Sequence, residues 1–254
     1  LSIERTVFIP DAHEPYAHAR AMAAVLDAVD DLSPKRVVVM GDLLDFGPVS
    51  RYEQDPRLEE SIQEHLDAGE SRLVQIRSAV GRKAEIVYLE GNHEHRLTKY
   101  LIRHAGKLMA LKRAGEEVLS VPFLLDLKRK GVLWVPEDRS YRLHDYLVEH
   151  GDCASSQSAY TARRMVEKRM TNVVHGHTHR MGSYWKTGAG NVLHGIELGC
   201  LIDPESEAAA YARMPNWQLG FGVGEYDTVA DFFQVTPVWI KDRKFLINNR
   251  LYAA

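Results

Sequence analysis

The residues of this chain best able to do chemistry stand at the ends of short apolar runs. Glu85-Ile86-Val87-Tyr88-Leu89 reads as a buried strand, and Glu90-Gly91-Asn92-His93-Glu94 follows it directly. Gly91 permits an abrupt turn at that point. Asn92 offers a neutral oxygen ligand, and His93 an imidazole that titrates near neutral pH. The same arrangement recurs along the sequence. Thr6–Ile9 leads into Asp11 and His13, and Arg36–Met40 into Gly41-Asp42-Leu43-Leu44-Asp45. Asp145–Glu149 leads into His150-Gly151, and Thr171–His175 into Gly176-His177-Thr178-His179. Asp11 and His13 are two residues apart, as are His177 and His179, so extended backbone would project each pair to one side. Asp45 lies three beyond Asp42 and reads as support for a site.

Gathered at one sheet edge, these residues give a mixed set of oxygen and imidazole ligands. Such a set suits Mn²⁺, Fe or Zn²⁺ better than Ca²⁺ or Mg²⁺, which favour oxygen shells. The ligands are too many for one tetrahedral ion and suit two. The histidine count points the same way: of twelve, His175, His177, His179 and His194 fall within twenty residues. Taken singly, each motif has a plain reading as a polar loop, a turn or a structural histidine. His150 is the least specific of them. His95, His144, His175 and His194 read as structural or supporting.

The elements between the motifs suggest how they are positioned. Ala19, Met22, Ala23, Leu26 and Val29 recur at helical spacing from about His18 to Asp31, and Ser33-Pro34 ends that helix. A strand–helix–strand order with continuous apolar strands implies a parallel, right-handed crossover. Pro56 to about Val80 reads as a long helix with an apolar face of Leu58, Ile62, Leu66, Leu73, Ile76 and Val80, its acidic side being solvated. Between Arg96 and Arg113 stand Arg96, Lys99, Arg103, Lys107, Lys112 and Arg113, with no acidic residue. The first four form one helical stripe, which reads either as a solvated face or as a track for a phosphate-bearing substrate. Arg163, Arg164, Lys168 and Arg169 make a second basic cluster on a helix spanning about Ser155–Met170.

Later segments are less marked. Val121–Leu125 reads as a connection, and Val132–Val135, Val192–Leu198 and Asp231–Ile240 read as strands. Gly220, Gly222 and Gly224 suggest a loop around Trp217. Lys241–Lys244 reads as the turn of a closing hairpin with Phe245-Leu246-Ile247. No repeat or linker divides residues 1–254, so a single domain is expected.

Composition sets the bounds. With 45% hydrophobic and 26% charged residues, the chain is of ordinary globular type. No apolar run approaches the roughly 20 residues of a membrane span, and none resembles a secretory signal, so no membrane association is expected. Cys153 and Cys200 do not make a disulfide framework and read as reduced, buried residues of a cytoplasmic protein. A net charge of −3 argues against a uniformly basic nucleic-acid coat and leaves room for a local patch. The chain begins at Leu1, so residues removed ahead of it are an open expectation.

The series Asp-x-His, Gly-Asp-x-x-Asp, Gly-Asn-His-Glu, His-Gly and Gly-His-x-His, in this order from Asp11 to His179, closely resembles the calcineurin-like metallophosphoesterase superfamily. The resemblance implies an α/β fold, a four-layer α/β/β/α sandwich with two mixed sheets and a dinuclear metal site. It implies that Asp11, His13, Asp42 and His179 hold one ion, and that Asp42, Asn92, His150 and His177 hold the other, with Asp42 bridging. Mn²⁺ is the first expectation, with Fe, Zn²⁺ or Ni²⁺ as alternatives. His93 would be the catalytic acid, Asp45 would orient it, and Arg96 would reach the substrate phosphate. The expected activity is phosphate-ester hydrolysis, with a phosphodiesterase or nuclease acting on nucleotides or nucleic acid slightly favoured. A phosphomonoesterase (protein phosphatase or nucleotidase) and a non-catalytic metal-binding scaffold are the alternatives.

Overall fold

The computed structural model of the chain describes residues 2–52, 60–188, 190–210 and 215–253. Its first half alternates strand and helix: β1 (Ile3–Ile9), α1 (Ala19–Leu32), β2 (Arg36–Val39), α2 (Ile62–Val80), β3 (Glu85–Leu89) and α3 (Glu94–Ala105). A small hairpin, β4 (Lys112–Arg113) and β5 (Glu116–Glu117), and a short helix α4 (Val121–Leu124) lead to β6 (Val132–Val135). The second half holds β7 (Tyr141–Leu143), β8 (Tyr146–Glu149), α5 (Tyr160–Arg169), β9 (Asn172–His175), β10 (Met181–Thr187) and β11 (Val192–Leu198). It closes with β12 (Gly220–Asp227), β13 (Phe232–Trp239), β14 (Lys244–Ile247) and β15 (Arg250–Ala253).

Among the described residues, six strands pair in the order β13-β12-β1-β2-β3-β6, with β1, β2, β3 and β6 mutually parallel. Five more pair as β10-β11-β9-β8-β7, of which β11, β9 and β8 are parallel. Strand periodicity divides the apolar residues between two cores. Val7, Ile9, Val37, Val39, Ile86 and Tyr88 pack with Met22, Val25, Val29, Leu73 and Ile76 of α1 and α2. The alternate residues Phe8, Val38, Met40, Val87 and Leu89 meet Val148, Val174, Ile196 and Leu198 of the second sheet. On the far side of that sheet, Leu147 and Val173 pack against Met165 and Val166 of α5. Parallel strands within each sheet bring their C-terminal ends to one side, and this is where the motif residues lie.

Several expectations need correction. The α2 helix begins at Ile62, because Ser61 and Glu64 form a reciprocal capping box there; the expected positions 56–59 lie outside the described residues. Val121–Leu124 is a short helix with Pro122 in its first turn, where a missing N–H costs nothing. Gly220, Gly222 and Gly224 are not a loop but part of β12, paired along its length with β13 and from Gly222 onward with β1. A Cβ at Gly222 would press on Leu198 of the second sheet at 2.8 Å, and one at Gly224 on the Phe233 ring of the adjacent β13 at 2.8 Å, so the first glycine lets the sheets come close and the second makes room for a neighbouring ring. The expected turn at Lys241–Lys244 forms, its end residues exchanging backbone hydrogen bonds, and a second turn at Asn248 and Asn249, both at positive φ, then pairs β14 with β15. Cys200 is buried, whereas Cys153 is only half-buried. No helix among the described residues is long and apolar enough to cross a membrane.

Candidate metal centre

The five strand ends converge. From β1 come Asp11 and His13, from β2 Asp42 and Asp45, from β3 Asn92 and His93, from β8 His150, and from β9 His177 and His179. Their backbone is not the extended form that the two-residue spacing suggests. Asp11, His13, Asp42, His177 and His179 lie at φ of 41°, 53°, 49°, 68° and 57°. Left-handed backbone costs a non-glycine residue on the order of 1 kcal/mol. Five such residues around one centre mean that the chain bends sharply at the ends of β1, β2 and β9 to aim the side chains inward.

Two close approaches make this possible. Gly41 lies at φ 92°, and a Cβ there would sit 2.7 Å from His150 Nδ1 and 2.9 Å from Gly91 Cα. The β2 and β3 loops therefore touch backbone to backbone under the site. Glu94 then ties them together. Its Oε2 accepts from Asp42 N (2.8 Å) and Gly91 N (2.9 Å), and its Oε1 from Leu44 N (2.9 Å) and Tyr88 Oη (2.7 Å). Burial and the nearby Asp42 push this carboxyl above its ordinary range, against the pull of its donors. Sequence reasoning quoted Glu94 in its motif and gave it no role. The available signal was an acid in the first turn of a helix, where free N–H groups need acceptors.

At the centre, ring nitrogens and carboxylate oxygens face one another. His13 Nδ1 donates to Asp45 Oδ1 (3.0 Å), so Nε2 presents its lone pair, 3.0 Å from His179 Nε2 and 3.8 Å from Asp42 Oδ2. Asp11 Oδ1 is 3.5 Å from His179 Nε2, and the carboxylate is fixed by the backbone N–H of His177 at 3.0 Å. His150 Nδ1 donates to the Met40 carbonyl (3.0 Å). Its Nε2 then faces Asn92 Oδ1 (3.1 Å), His177 Nδ1 (3.2 Å) and Asp42 Oδ2 (3.3 Å). Asp11, His13 and His179 thus form one cluster, Asp42, His150 and His177 a second, each with ligand atoms within 4.8 Å of one another. The Asp42 carboxylate reaches toward both. Oxygens and ring nitrogens converging at such distances need a cation or a proton between them, and this mixed oxygen and imidazole donor set fits divalent metal.

The charges agree. Burial opposes charge on His150, yet Asp42 and Asp11 override it and push its imidazole up to about 10. Burial alone would raise Asp42, and the surrounding histidines hold it well below the carboxylate range. His177 is lowered to about 4 by burial and by His150, so its ring is neutral and able to ligate.

Beside these clusters, Asp45 serves two rings. Its Oδ1 lies 3.0 Å from His13 Nδ1 and 3.1 Å from His93 Nδ1, and those hydrogen bonds hold it ionised despite burial. His93 Nδ1 also donates to the Asp45 carbonyl at 2.8 Å, which leaves Nε2 at the rim, 3.9 Å from Asp42 Oδ2. Arg96 donates from Nη2 to that Nε2 (2.7 Å) and from Nη1 to the Asp45 carbonyl (2.9 Å). A donating guanidinium fits a neutral ring, whereas Asp42 and Asp45 overcome burial to raise His93 above its ordinary value. The contact with Arg96 must therefore open before His93 carries its proton at Nε2. Trp217, which the sequence placed near a loop, packs edge-on against His179 with ring centroids 4.4 Å apart.

Comparison with known proteins bears on this arrangement. A chain of Mycobacterium phage L5, the Gene 54 protein, is 30% identical over 233 residues, covering 87% of this chain and 88% of its own length. The Gene 54 protein of Mycobacterium phage D29 is 29% identical over 231 residues, with the same two coverages. A solved enolase from Sargasso Sea environmental sequencing aligns at a TM-score of 0.26 and 12% identity, covering 69% of this chain and 34% of that one, too slight a likeness to bear on the fold. The family model for calcineurin-like phosphoesterases matches residues 4–181, which contain every strand end described above. The chain belongs to the calcineurin-like phosphoesterase family.

Proposed function

We propose that this protein is a dinuclear metal-dependent phosphodiesterase or nuclease acting on nucleotides or nucleic acid. Family membership and the buried His/Asp clusters support a metal-dependent phosphoesterase. The observation that carries the reading further is the rim: His93, held by Asp45, and Arg96 stand beside a two-cluster centre joined by Asp42. In this reading Asp11, His13, Asp42 and His179 hold one ion, and Asp42, Asn92, His150 and His177 the other. Mn²⁺ is the first choice for a mixed oxygen and imidazole set. When bound, two such ions neutralise phosphoryl oxygens and make a water acidic enough to attack at neutral pH.

The chain's own residues supply the rest. Arg96 turns its guanidinium from His93 to a phosphoryl oxygen, a charge-assisted contact of the kind arginine makes well. His93 Nε2, released from Arg96, carries the proton to the leaving oxygen. Asp45 keeps His93 Nδ1 protonated and the ring aimed. A diester is favoured over a monoester because the cations continue away from Arg96 along α3.

The test is Mn²⁺-dependent hydrolysis of a chromogenic phosphodiester beside the matching monoester, with His93→Ala as control. Diester turnover that the variant loses supports the proposal. A monoester preference would point to a nucleotidase or protein phosphatase. No hydrolysis of either, with metal bound, would leave a binding scaffold.

A further inference from the structure

The outer face of α3 carries features that the metal centre does not use. Leu97 and Leu101 are buried on its inner side. At about 100° per residue, Arg96 and Arg103 point within about 20° of each other on the opposite side, with Lys99 beside them. Lys107 follows in the 3₁₀ turn Gly106–Ala110. Lys99, Arg103 and Lys107 are exposed. Among the described residues, no carboxylate lies within ion-pair distance of them, and the sequence holds no acid from His95 to Gly115.

The other basic cluster differs. On α5, Arg163 pairs with Glu167 (3.1 Å), Arg169 with Glu149 (3.1 Å), and Lys168 with Asp152. Its charge is largely spent within the fold. The α3 stripe is the one left to an outside anion, and its first member, Arg96, already touches His93.

A second observation narrows the anion. Tyr100 and His104, one turn apart on the flank of the stripe, place their ring centroids 4.5 Å apart, and Tyr100 is 40% exposed. An aromatic face beside a row of cations binds unstacked bases and backbone together, and a duplex hides the base faces that would use it. From Arg96 to Arg103 the helix rises about 10 Å, the span of about three stacked nucleotides, and Lys107 follows in the next turn.

We propose that Lys99, Tyr100, Arg103, His104 and Lys107 form a track that carries a single-stranded polynucleotide to the His/Asp centre. The cations hold its phosphates, and the Tyr100–His104 pair takes a base. The inference rests on reading that centre as a phosphodiesterase, and it makes the substrate a strand, with cleavage where the strand passes Arg96.

The test is binding of a short fluorescent oligothymidylate to the full metal-loaded chain carrying His93→Ala, followed by anisotropy across a salt series. Four phosphate contacts predict a log–log salt slope of about −3. Changing Lys99, Arg103 and Lys107 together to Gln should flatten it to about −0.7 and weaken binding at low salt more than tenfold. Tyr100→Ala should weaken binding at every salt concentration, and Tyr100→Phe should restore it. Unchanged binding in the triple variant would overturn the track. So would duplex binding as tight as single-strand binding, or equal loss of retention on anionic vesicles. Wild-type protein that cuts a chromogenic diester but binds no oligonucleotide would overturn the track alone. Oligonucleotide binding with the expected slope, and no hydrolysis of any phosphate ester, would overturn the phosphodiesterase reading and leave the track.

Discussion

Glu94 shows how much of this centre is held by a residue outside it. Four donors point at its two oxygens, and three of them are backbone N–H groups of the loops that aim Asp42 and Asn92. Glu94→Ala would strand those donors in a dry interior. The expected loss is about 3–5 kcal/mol of stability, or roughly 10 °C in Tm; a thermal melt within a degree or two of wild type would refute it. Two other residues separate holding metal from using it. Asp42 reaches toward both clusters, so Asp42→Ala should lose both ions, which elemental analysis of the purified protein reads directly. His93 touches Asp42 and Asp45 from the rim, so His93→Ala should keep its metal and lose about 10²- to 10⁴-fold in kcat. Retention of two ions in the first variant, or full turnover in the second, would reverse these roles. The residue types at the strand ends were legible in the sequence because imidazoles and carboxylates two or three apart are visible without coordinates. The backbone that aims them was not. Extended geometry was the natural reading of Asp11-Ala12-His13, and left-handed φ at both residues does the work instead.

At the scale of elements, the fold is legible where one signal dominates. β1, β2 and β3 are continuous apolar runs separated by helical periodicity, and they form the parallel set expected of them. Legibility fails where a residue has two uses. Glycine breaks strands and also lets strands lie close beneath a large side chain; in β12 the second use prevails, and only the facing Leu198 and Phe233 reveal it. Charge behaves similarly, since α3 and α5 both carry several cations and differ in whether acids reach them from outside the helix, as Glu149 and Asp152 reach α5. The β2 and β3 loops give the sharpest case. A Cβ at Gly91 would lie against the Asp42 backbone and carboxylate and 2.7 Å from Glu94 Oε2. Gly91→Ala must therefore part the two loops. The expected result is about 1–3 kcal/mol of destabilisation with weakened metal binding. Gly106→Ala is the control, because the nearest atom to its Cβ is the Leu101 carbonyl oxygen at 4.0 Å. Equal melting temperatures and metal contents for the two variants would count against this packing.

For the molecule as a whole, the centre couples metal, protons and stability. His150 is buried, and Asp42 and Asp11 raise its pKa to about 10, so at neutral pH it holds a proton that a metal ion must displace. Loading the chelated protein at neutral pH should therefore release about one proton from this residue, measurable with an indicator dye in weak buffer. The sign of the stability effect follows. A histidine raised above its unfolded value of about 6.5 stabilises the chelated fold fully below that pH, and the benefit fades as pH rises through about 10. Ion binding gains over the same interval, because the competing proton becomes easier to remove. The gap in Tm between loaded and chelated protein should then widen steadily from about pH 6.5 toward pH 10. An ion at about 1,000 times its Kd adds about 4 kcal/mol, which for a chain of this size is about 10 °C. A gap that stays constant across this range, with no proton released on loading, would mean that His150 is neutral in the chelated protein and that Asp42 does not hold it charged.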